Sequence, residues 1–158
     1  MSGAVHVHVH QVATGSFPLR VADLLFTDDR LLIPEYAHLT PLFGLARGGM
    51  STVAEGARER YRAEGVLGLL ELAERTHSVP YEELQCIRVF ESRYARPKIA
   101  VDTAAGPPFA YRIHASVDVE SLVAALRSLG DRRGFSVESR RGLGFSPTNS
   151  VRRFLADR

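Results

Sequence analysis

Three histidines alternate with valines near the start of the sequence, in the stretch AVHVHVHQV at residues 4–12. In an extended strand, residues i and i+2 project on the same side about 6.5 to 7 Å apart. His6 with His8, or His8 with His10, could therefore ligate one metal ion. His6 and His10 lie about 13 Å apart in such a strand, so the stretch supplies at most two ligands per ion.

A metal site would need further ligands from other parts of the chain. A zinc ion takes four ligands in a structural site, and the other histidines and Cys86 stand at spacings that form no ligand motif. Alternating valines are typical of a strand with one buried face, which leaves the histidines in water or against a partner. We favour this interpretation and assign no metal ligand; a metal-binding protein or metal-dependent enzyme using the His6/His8/His10 face is the alternative.

The sequence carries no motif of a known catalytic chemistry. G-x-S-x-G, H-E-x-x-H and the Walker A motif are all missing. The G-x-G of RRGLGFS (140–146) lacks a surrounding strand–helix unit, and the glycines of RGGMST (47–52) are typical of a loop. Cys86 lies between Leu84 and Ile87, which suits an inert core thiol. We therefore expect no enzyme, no catalytic residue and no cofactor.

Positive charge is concentrated at the end of the sequence. Residues 131–158 hold seven arginines against three acidic residues, a local excess of +4 in a chain of net charge +2. The candidate contacts to an anion or partner are Arg132, Arg133, Arg140 and Arg141. We expect a solvated tail, with contact to an anionic or membrane surface as the alternative. Nucleic acid is disfavoured because no row of stacking aromatic residues accompanies the arginines.

Bulk composition predicts an ordinary globular protein. With 158 residues, 45% of them hydrophobic, the chain can bury a core without disulfides. One cysteine cannot form an internal disulfide, which favours a reducing compartment. The most apolar stretch, GVLGLLELA (65–73), is too short to span a bilayer, and no signal peptide is evident. We expect a cytoplasmic protein without a transmembrane segment.

Hydrophobic periodicity predicts six strands and two helical regions. Three strands come first, then a helical insertion at about 50–76 that Gly65 interrupts, three more strands, and a strongly amphipathic helix. Thr52 with Glu55 predicts a capping box for the insertion. Asp118 and Gly130 predict the start and end of the last helix. The predicted strands are 4–12, 17–27, 30–37, 78–92, 96–103 and 108–115, and the last helix is 118–130.

This order resembles the pleckstrin-homology-like (PH-like) superfamily, in particular its small bacterial and archaeal PH/GRAM-type domains. The hairpin VADLLFTDDRLLI (21–33) is similar to a hairpin typical of the family, a helical insertion follows the third strand, and HSVPYEELQCIRV (77–89) is similar to the family's strand entry. The paired strands KIAVDTAAGPPFAYRIHA (98–115) and the closing helix VDVESLVAALRSLG (117–130) complete the pattern. The resemblance covers roughly residues 4–130.

The resemblance implies an α+β fold, with a strongly bent antiparallel sheet or partly open barrel closed by a C-terminal amphipathic helix. It implies a PH-like domain at 1–130 and leaves an Arg-rich, partly flexible tail at 131–158. Members of the superfamily are mostly non-enzymatic and bind lipid headgroups, peptides or protein surfaces. The hairpin LLFTDDRLL carries acidic residues, so we do not expect phosphoinositide recognition. The expected function is a non-catalytic binding or scaffold domain that engages a protein partner or a second copy of itself.

Overall fold

A computed structural model describes residues 3–15, 19–39 and 49–142. Eight strands and two α-helices lie in these ranges. In chain order they are β1 (Val7–Thr14), β2 (Leu19–Phe26), β3 (Arg30–Leu39), α1 (Gly49–Leu72), β4 (Arg75–Pro80), β5 (Leu84–Glu91), β6 (Lys98–Thr103), β7 (Phe109–Ile113), α2 (Val119–Arg133) and β8 (Ser136–Arg141). A short 3₁₀ turn at Tyr81–Glu83 separates β4 from β5.

The chain divides into two compact units, Met1–Ser78 and Val79–Arg158. In the first unit the strands lie in the order β4-β3-β2-β1, with β1/β2 and β2/β3 antiparallel. Helix α1 packs on this sheet, mainly against β3. Their shared core is made of buried residues from both elements, namely Val21, Leu25, Tyr36, Ala37, Ala57, Val66 and Leu69.

Helix α1 is broken at Gly65, as the sequence predicts. Gly65 has φ 65° and ψ −146°, a conformation that glycine adopts without a Cβ clash. The backbone of the second half approaches that of the first closely at Gly68, where an added Cβ would lie 2.7 Å from the Arg60 carbonyl oxygen. Glycine at position 68 is therefore required for this close approach.

The second unit has the strand order β7-β6-β5-β8. Strands β5, β6 and β7 are antiparallel neighbours, whereas β8 runs parallel to β5. Helix α2 connects β7 to β8 and packs on β5 and β8. Its predicted apolar stripe is buried, with Leu126 and Leu129 at 0% and 1% exposure. Burying such side chains stabilises a fold by about 1.5–3 kcal/mol each.

Several sequence predictions are confirmed and others need correction. The α+β class and the helical insertion after the third strand are correct. The described strands of neither unit close into a barrel, because the outermost strands of each order are not paired with each other. The sheet is not purely antiparallel either, and α2 does not end the fold, since β8 follows it. Strand β8 is not predicted from the sequence because Ser136–Arg141 is mostly polar and exposed. Such a strand has no alternation of apolar and polar residues by which it could be recognised.

The predicted helix boundaries also shift. Helix α1 begins at Gly49, so Thr52 lies inside the helix and does not cap it. The helix ends at Leu72, before the predicted end near residue 76, and Arg75–Pro80 forms β4. The N-cap at Asp118 is confirmed, with the Glu120 amide donating to its carboxylate at 3.2 Å. Helix α2 continues past Gly130 to Arg133 and is capped by Gly134, whose φ of 88° is left-handed.

The domain boundary predicted at residue 130 stays a prediction. Asp131–Arg133 belong to α2 and Ser136–Arg141 to β8, so the start of the predicted tail has secondary structure. The predicted partial flexibility of the tail 131–158 stays a prediction, and residues 143–158 of that tail lie outside the described residues. No helix in the described part of the chain is both long enough and apolar enough to cross a membrane.

Candidate metal centre

The histidine strand contains a β-bulge. Val9 pairs with Leu24 and Val12 with Ala22, so His10 and Gln11 together stand opposite the single residue Asp23 of β2. Gln11 has φ 53° and is the one non-glycine residue with positive φ in the described ranges. An L-residue in this region costs roughly 1–2 kcal/mol, so the surrounding contacts must stabilise the bulge.

Those contacts converge on the Asp23 carboxylate. Its Oδ2 accepts from His8 Nε2 at 2.7 Å and from His10 Nδ1 at 2.9 Å. Its Oδ1 accepts from the Gln11 amide and from the Tyr36 hydroxyl, both at 3.0 Å. The Gln11 bond explains how the strained bulge is held, since the carboxylate binds the very amide that the bulge exposes.

The carboxylate is buried and charged. The Asp23 side chain is 0% exposed, while His8 and His10 are 22% and 13% exposed. Burial alone raises the pKa of Asp23, but hydrogen bonds from His10 and His8, the charge of His10 and the Gln11 amide together hold that pKa well below its ordinary value. Burial, followed by the charge and hydrogen bond of Asp23, raises the pKa of Tyr36 far above its ordinary value. Tyr36 therefore stays a neutral donor.

Helix α1 contributes to the cover of this cluster. The ring of Tyr61 lies 4.5 Å from the His8 ring, measured between centroids, and the His8 and His10 rings meet edge to face at 5.9 Å. His8 and His10 are therefore only partly exposed to water, at 22% and 13%. The sequence pattern could not show the contact of His8 with Tyr61, because Tyr61 lies more than fifty residues further along the chain.

Three of these groups have the geometry of a metal-ligand set. One nitrogen of His8, one nitrogen of His10 and a carboxylate oxygen of Asp23 all lie within 4.8 Å of one another. Two imidazoles and a carboxylate suit zinc and other first-row transition metals, and three protein ligands leave at least one position for water or another ligand. The strand therefore places nitrogens of two histidines, and β2 places an oxygen of Asp23, where one metal ion could bind all three.

The remaining histidines of the chain lie elsewhere. His6 bonds to the exposed Asp28 at 2.7 Å, so it does not join His8 and His10. His38 bonds to Glu74 at the surface, and His77 lies 3.1 Å from the buried Glu35. His114 stands alone in the second unit, where burial first, and then two neighbouring arginines, lower its pKa to about 4.

A second buried carboxylate lies in the same unit. Glu35 is 1% exposed, and its oxygens lie 3.1 Å from His77 Nε2 and 3.7 Å from Arg20 Nη1. Burial opposes ionisation of Glu35, but the bond and charge of His77 and the charge of Arg20 lower its pKa below the ordinary value. The contacts with His77 and Arg20 suffice to explain this carboxylate as part of a buried polar cluster.

The four candidate arginines do not form one cluster. Arg132 and Arg133 lie in the last turn of α2, where positive charge is favourable next to the helix C-terminus. Arg140 and Arg141 lie at the far end of β8, and Arg140 is ion-paired with Glu138. Arg141 borders a surface depression with residues of another loop.

Sequence reasoning missed Asp23 and Tyr36. Both lie in apolar strands, where Asp23 is flanked by Ala22 and Leu24 and is 0% exposed. An aspartate in the middle of an otherwise apolar strand is itself an anomaly, because a buried charge is costly without partners. That anomaly is the signal that could have identified it.

Comparison with known proteins gives a fold but no family. No protein-family model matches the chain, and no curated protein matches it. The chain is similar to a solved structure, the hSac2 domain from the human phosphoinositide phosphatase Sac2, with a TM-score of 0.52 and 8% sequence identity. The alignment covers 90% of this chain and 80% of that chain. At such low identity the likeness shows the fold alone.

The expected membership of the PH-like superfamily is wrong, because the structural match is a Sac2 domain. The resemblance was based on element order and on short apolar signatures. Neither records that β8 pairs in parallel with β5 after the amphipathic helix.

Proposed function

We propose that this protein binds a divalent first-row transition metal ion through His8, His10 and Asp23. The observation that carries the proposal is the convergence of three ligand atoms within 4.8 Å of one another. Two imidazole nitrogens directed at one carboxylate oxygen need either two protons or one metal ion between them. Zinc-type ions lie at about 2.0–2.2 Å from such nitrogen and oxygen ligands.

The surroundings of the three ligands support the proposal. Ligating carboxylates in metal sites are themselves hydrogen-bonded, and those outer partners fix the ligand orientation. Asp23 has such partners on Oδ1, namely the Gln11 amide and the Tyr36 hydroxyl, which leaves Oδ2 for the ion. The partly exposed His8 and His10 leave a route for the ion from solvent.

The test is zinc titration of untagged, chelator-treated protein by calorimetry. We expect one zinc ion per chain, bound by imidazole nitrogens of His8 and His10 and by the Asp23 carboxylate. His8→Ala and His10→Ala should each abolish stoichiometric binding. Tyr36→Phe should weaken zinc affinity about 10- to 100-fold, the usual effect of removing an outer-shell partner.

His38→Ala is the matched control. His38 also bonds to a carboxylate in the same unit, but it lies at the surface, away from Asp23. It should leave zinc stoichiometry and affinity unchanged. Thermal unfolding adds a second readout, because zinc at 100 times its dissociation constant should stabilise the fold by about 2.7 kcal/mol. Absence of stoichiometric zinc, copper or nickel, together with an unchanged melting temperature, would overturn the proposal.

The expectation of a non-catalytic domain that engages a protein partner or a second copy stays a prediction. The metal proposal is compatible with it, since a bound ion can stabilise a fold without doing chemistry.

A further inference from the structure

A surface depression lies at the ends of β5 and β8 in the second unit. It has a volume of about 650 Å³, within the range of small-molecule sites. Its described lining comes from the last residues of the two strands and the loop after β5, and consists of Glu91, Ser92, Arg93, Tyr94, Arg141 and Gly142. The Gly142 amide donates to the Glu91 carbonyl at 3.0 Å, which holds the two strand ends together.

Two exposed arginines line this depression. Among the described residues, neither Arg93 nor Arg141 has an ion-pair partner or a side-chain hydrogen bond. The adjacent Arg140 differs, since Glu138 binds its guanidinium. A guanidinium presents a planar fork of donors that matches two phosphate oxygens, and two such forks bind a phosphate more specifically than a point charge does.

An aromatic ring lies beside the arginines. Tyr94 is 94% exposed, the highest exposure among the large hydrophobic residues of the described chain. Its position in the loop is defined, because its amide donates to the Ser92 hydroxyl at 3.2 Å. An exposed ring at the edge of a depression offers a stacking surface, and stacking of one nucleobase on an aromatic side chain contributes about 1–3 kcal/mol.

One carboxylate also faces the depression. Glu91 stands in register with Arg141 on the neighbouring strand. Glu91, Arg93 and Arg141 together carry a net charge of +1, and the Glu91 carboxylate repels inorganic phosphate. A carboxylate next to arginines is, however, a suitable acceptor for the hydroxyls of a ribose.

We propose that this depression binds a ribonucleoside 5′-monophosphate. In this arrangement Arg93 and Arg141 hold the phosphate, Glu91 accepts hydrogen bonds from the ribose hydroxyls, and Tyr94 stacks on the base. The site is independent of the metal centre, which lies in the other unit. The required groups differ in chemistry, so each part of the ligand can be tested by a separate variant.

The experiment is calorimetric titration of the full-length chain in phosphate-free buffer with AMP, deoxy-AMP, adenosine and inorganic phosphate. We expect AMP to bind at least about 10-fold more tightly than adenosine or phosphate. Arg93→Ala and Arg141→Ala should each weaken AMP at least about 10-fold, equivalent to 1.4 kcal/mol. Arg62→Ala, which removes an exposed arginine of α1, should change nothing. Circular dichroism of each variant verifies that it is folded.

Two further variants separate a nucleotide site from a simple anion patch. Tyr94→Ala should weaken AMP about 5- to 100-fold and leave inorganic phosphate unchanged. Glu91→Gln should tighten inorganic phosphate but weaken AMP relative to deoxy-AMP. AMP that binds no more tightly than phosphate, or AMP binding that is insensitive to both arginine substitutions, would overturn the proposal. So would the absence of binding at about 1 mM AMP, a concentration that detects even weak sites.

Discussion

Substitution of Asp23 by asparagine tests the central role of the buried carboxylate in the first unit. Asparagine has nearly the same size and shape, so the change removes the charge without leaving a cavity. His8, His10, Gln11 and Tyr36 all direct hydrogen-bond donors at this carboxylate. Donors contact both oxygens of the Asp23 carboxylate. The amide of asparagine has only one acceptor oxygen, so its NH₂ group must face the donors that contacted the other oxygen.

The expected cost follows from these contacts. Hydrogen bonds to charged groups contribute about 1.5–3 kcal/mol each. Removing one member of a buried ionic cluster typically costs about 3–5 kcal/mol. Since the Asp23 carboxylate is 0% exposed, solvent cannot replace the hydrogen bonds that it loses, and we take the figure for a buried ionic cluster. We expect Asp23→Asn to lower the free energy of unfolding by about 3–5 kcal/mol, which corresponds to a fall in melting temperature of roughly 6–20 °C.

Urea unfolding of metal-free protein at pH 7, followed by circular dichroism, measures this cost. Glu64→Gln serves as the control, because Glu64 binds Arg60 at 2.8 Å on the surface of α1, where the two side chains are 42% and 45% exposed. Its loss should cost about 0.5 kcal/mol or less. The reasoning is refuted if Asp23→Asn unfolds within about 0.5 kcal/mol of the wild type, since the cluster would then contribute nothing beyond an amide.

Three further predictions concern the same unit. The lowered pKa of Asp23 means that its ionised form stabilises the fold, and this contribution is complete above the ordinary carboxyl pKa near 4. The difference in free energy of unfolding between the wild type and Asp23→Asn should therefore shrink as pH falls from about 5 to 2, which urea unfolding at several pH values measures. Gly68→Ala places a Cβ 2.7 Å from the Arg60 carbonyl oxygen and should lower the free energy of unfolding in urea by about 1–3 kcal/mol. Gly56→Ala is the control: its Cβ would meet nothing within 4 Å, so the change should be neutral or stabilise α1 by up to about 1 kcal/mol. Gln11→Gly relieves the positive φ and should be at least as stable as the wild type, while Gln11→Val should lose more than about 1 kcal/mol by thermal unfolding.

Local sequence signals predict the elements of this fold better than their arrangement. The stripe of α2 and the cap at Asp118 depend on neighbours within a few residues, and both are confirmed. The break at Gly65 follows from a single glycine in a helical pattern and is also confirmed. Strand β8 was missed, because its exposed sequence SVESRR has no buried face and its place depends on β5, some fifty residues earlier.

The candidate metal centre shows the same limit. The alternation of His8 and His10 predicts that two imidazoles project on the same side, and both do contact the Asp23 carboxylate. The third ligand depends on the register of β1 against β2 and on the bulge between Val9 and Val12. A bulge shifts the pairing of one strand against its neighbour by one residue. The periodicity of HVHVHQV (6–12) does not predict this shift. Asp23 could be suspected from its apolar neighbours, but its partners could not be assigned.

A strained residue, a bulge and a buried charge all meet at Asp23. Each is unfavourable alone, and proteins tend to retain such features where function requires them. If the cluster were only structural, replacing His8, His10 and Asp23 together by apolar residues of similar size would be neutral or stabilising, as it often is for buried ionic groups. A metal ion gives the cluster a different reason to persist, because binding to the folded chain adds stability that no apolar replacement can supply. Zinc-dependent stability that is present in the wild type and lost in the triple replacement therefore distinguishes a ligand set from a polar core.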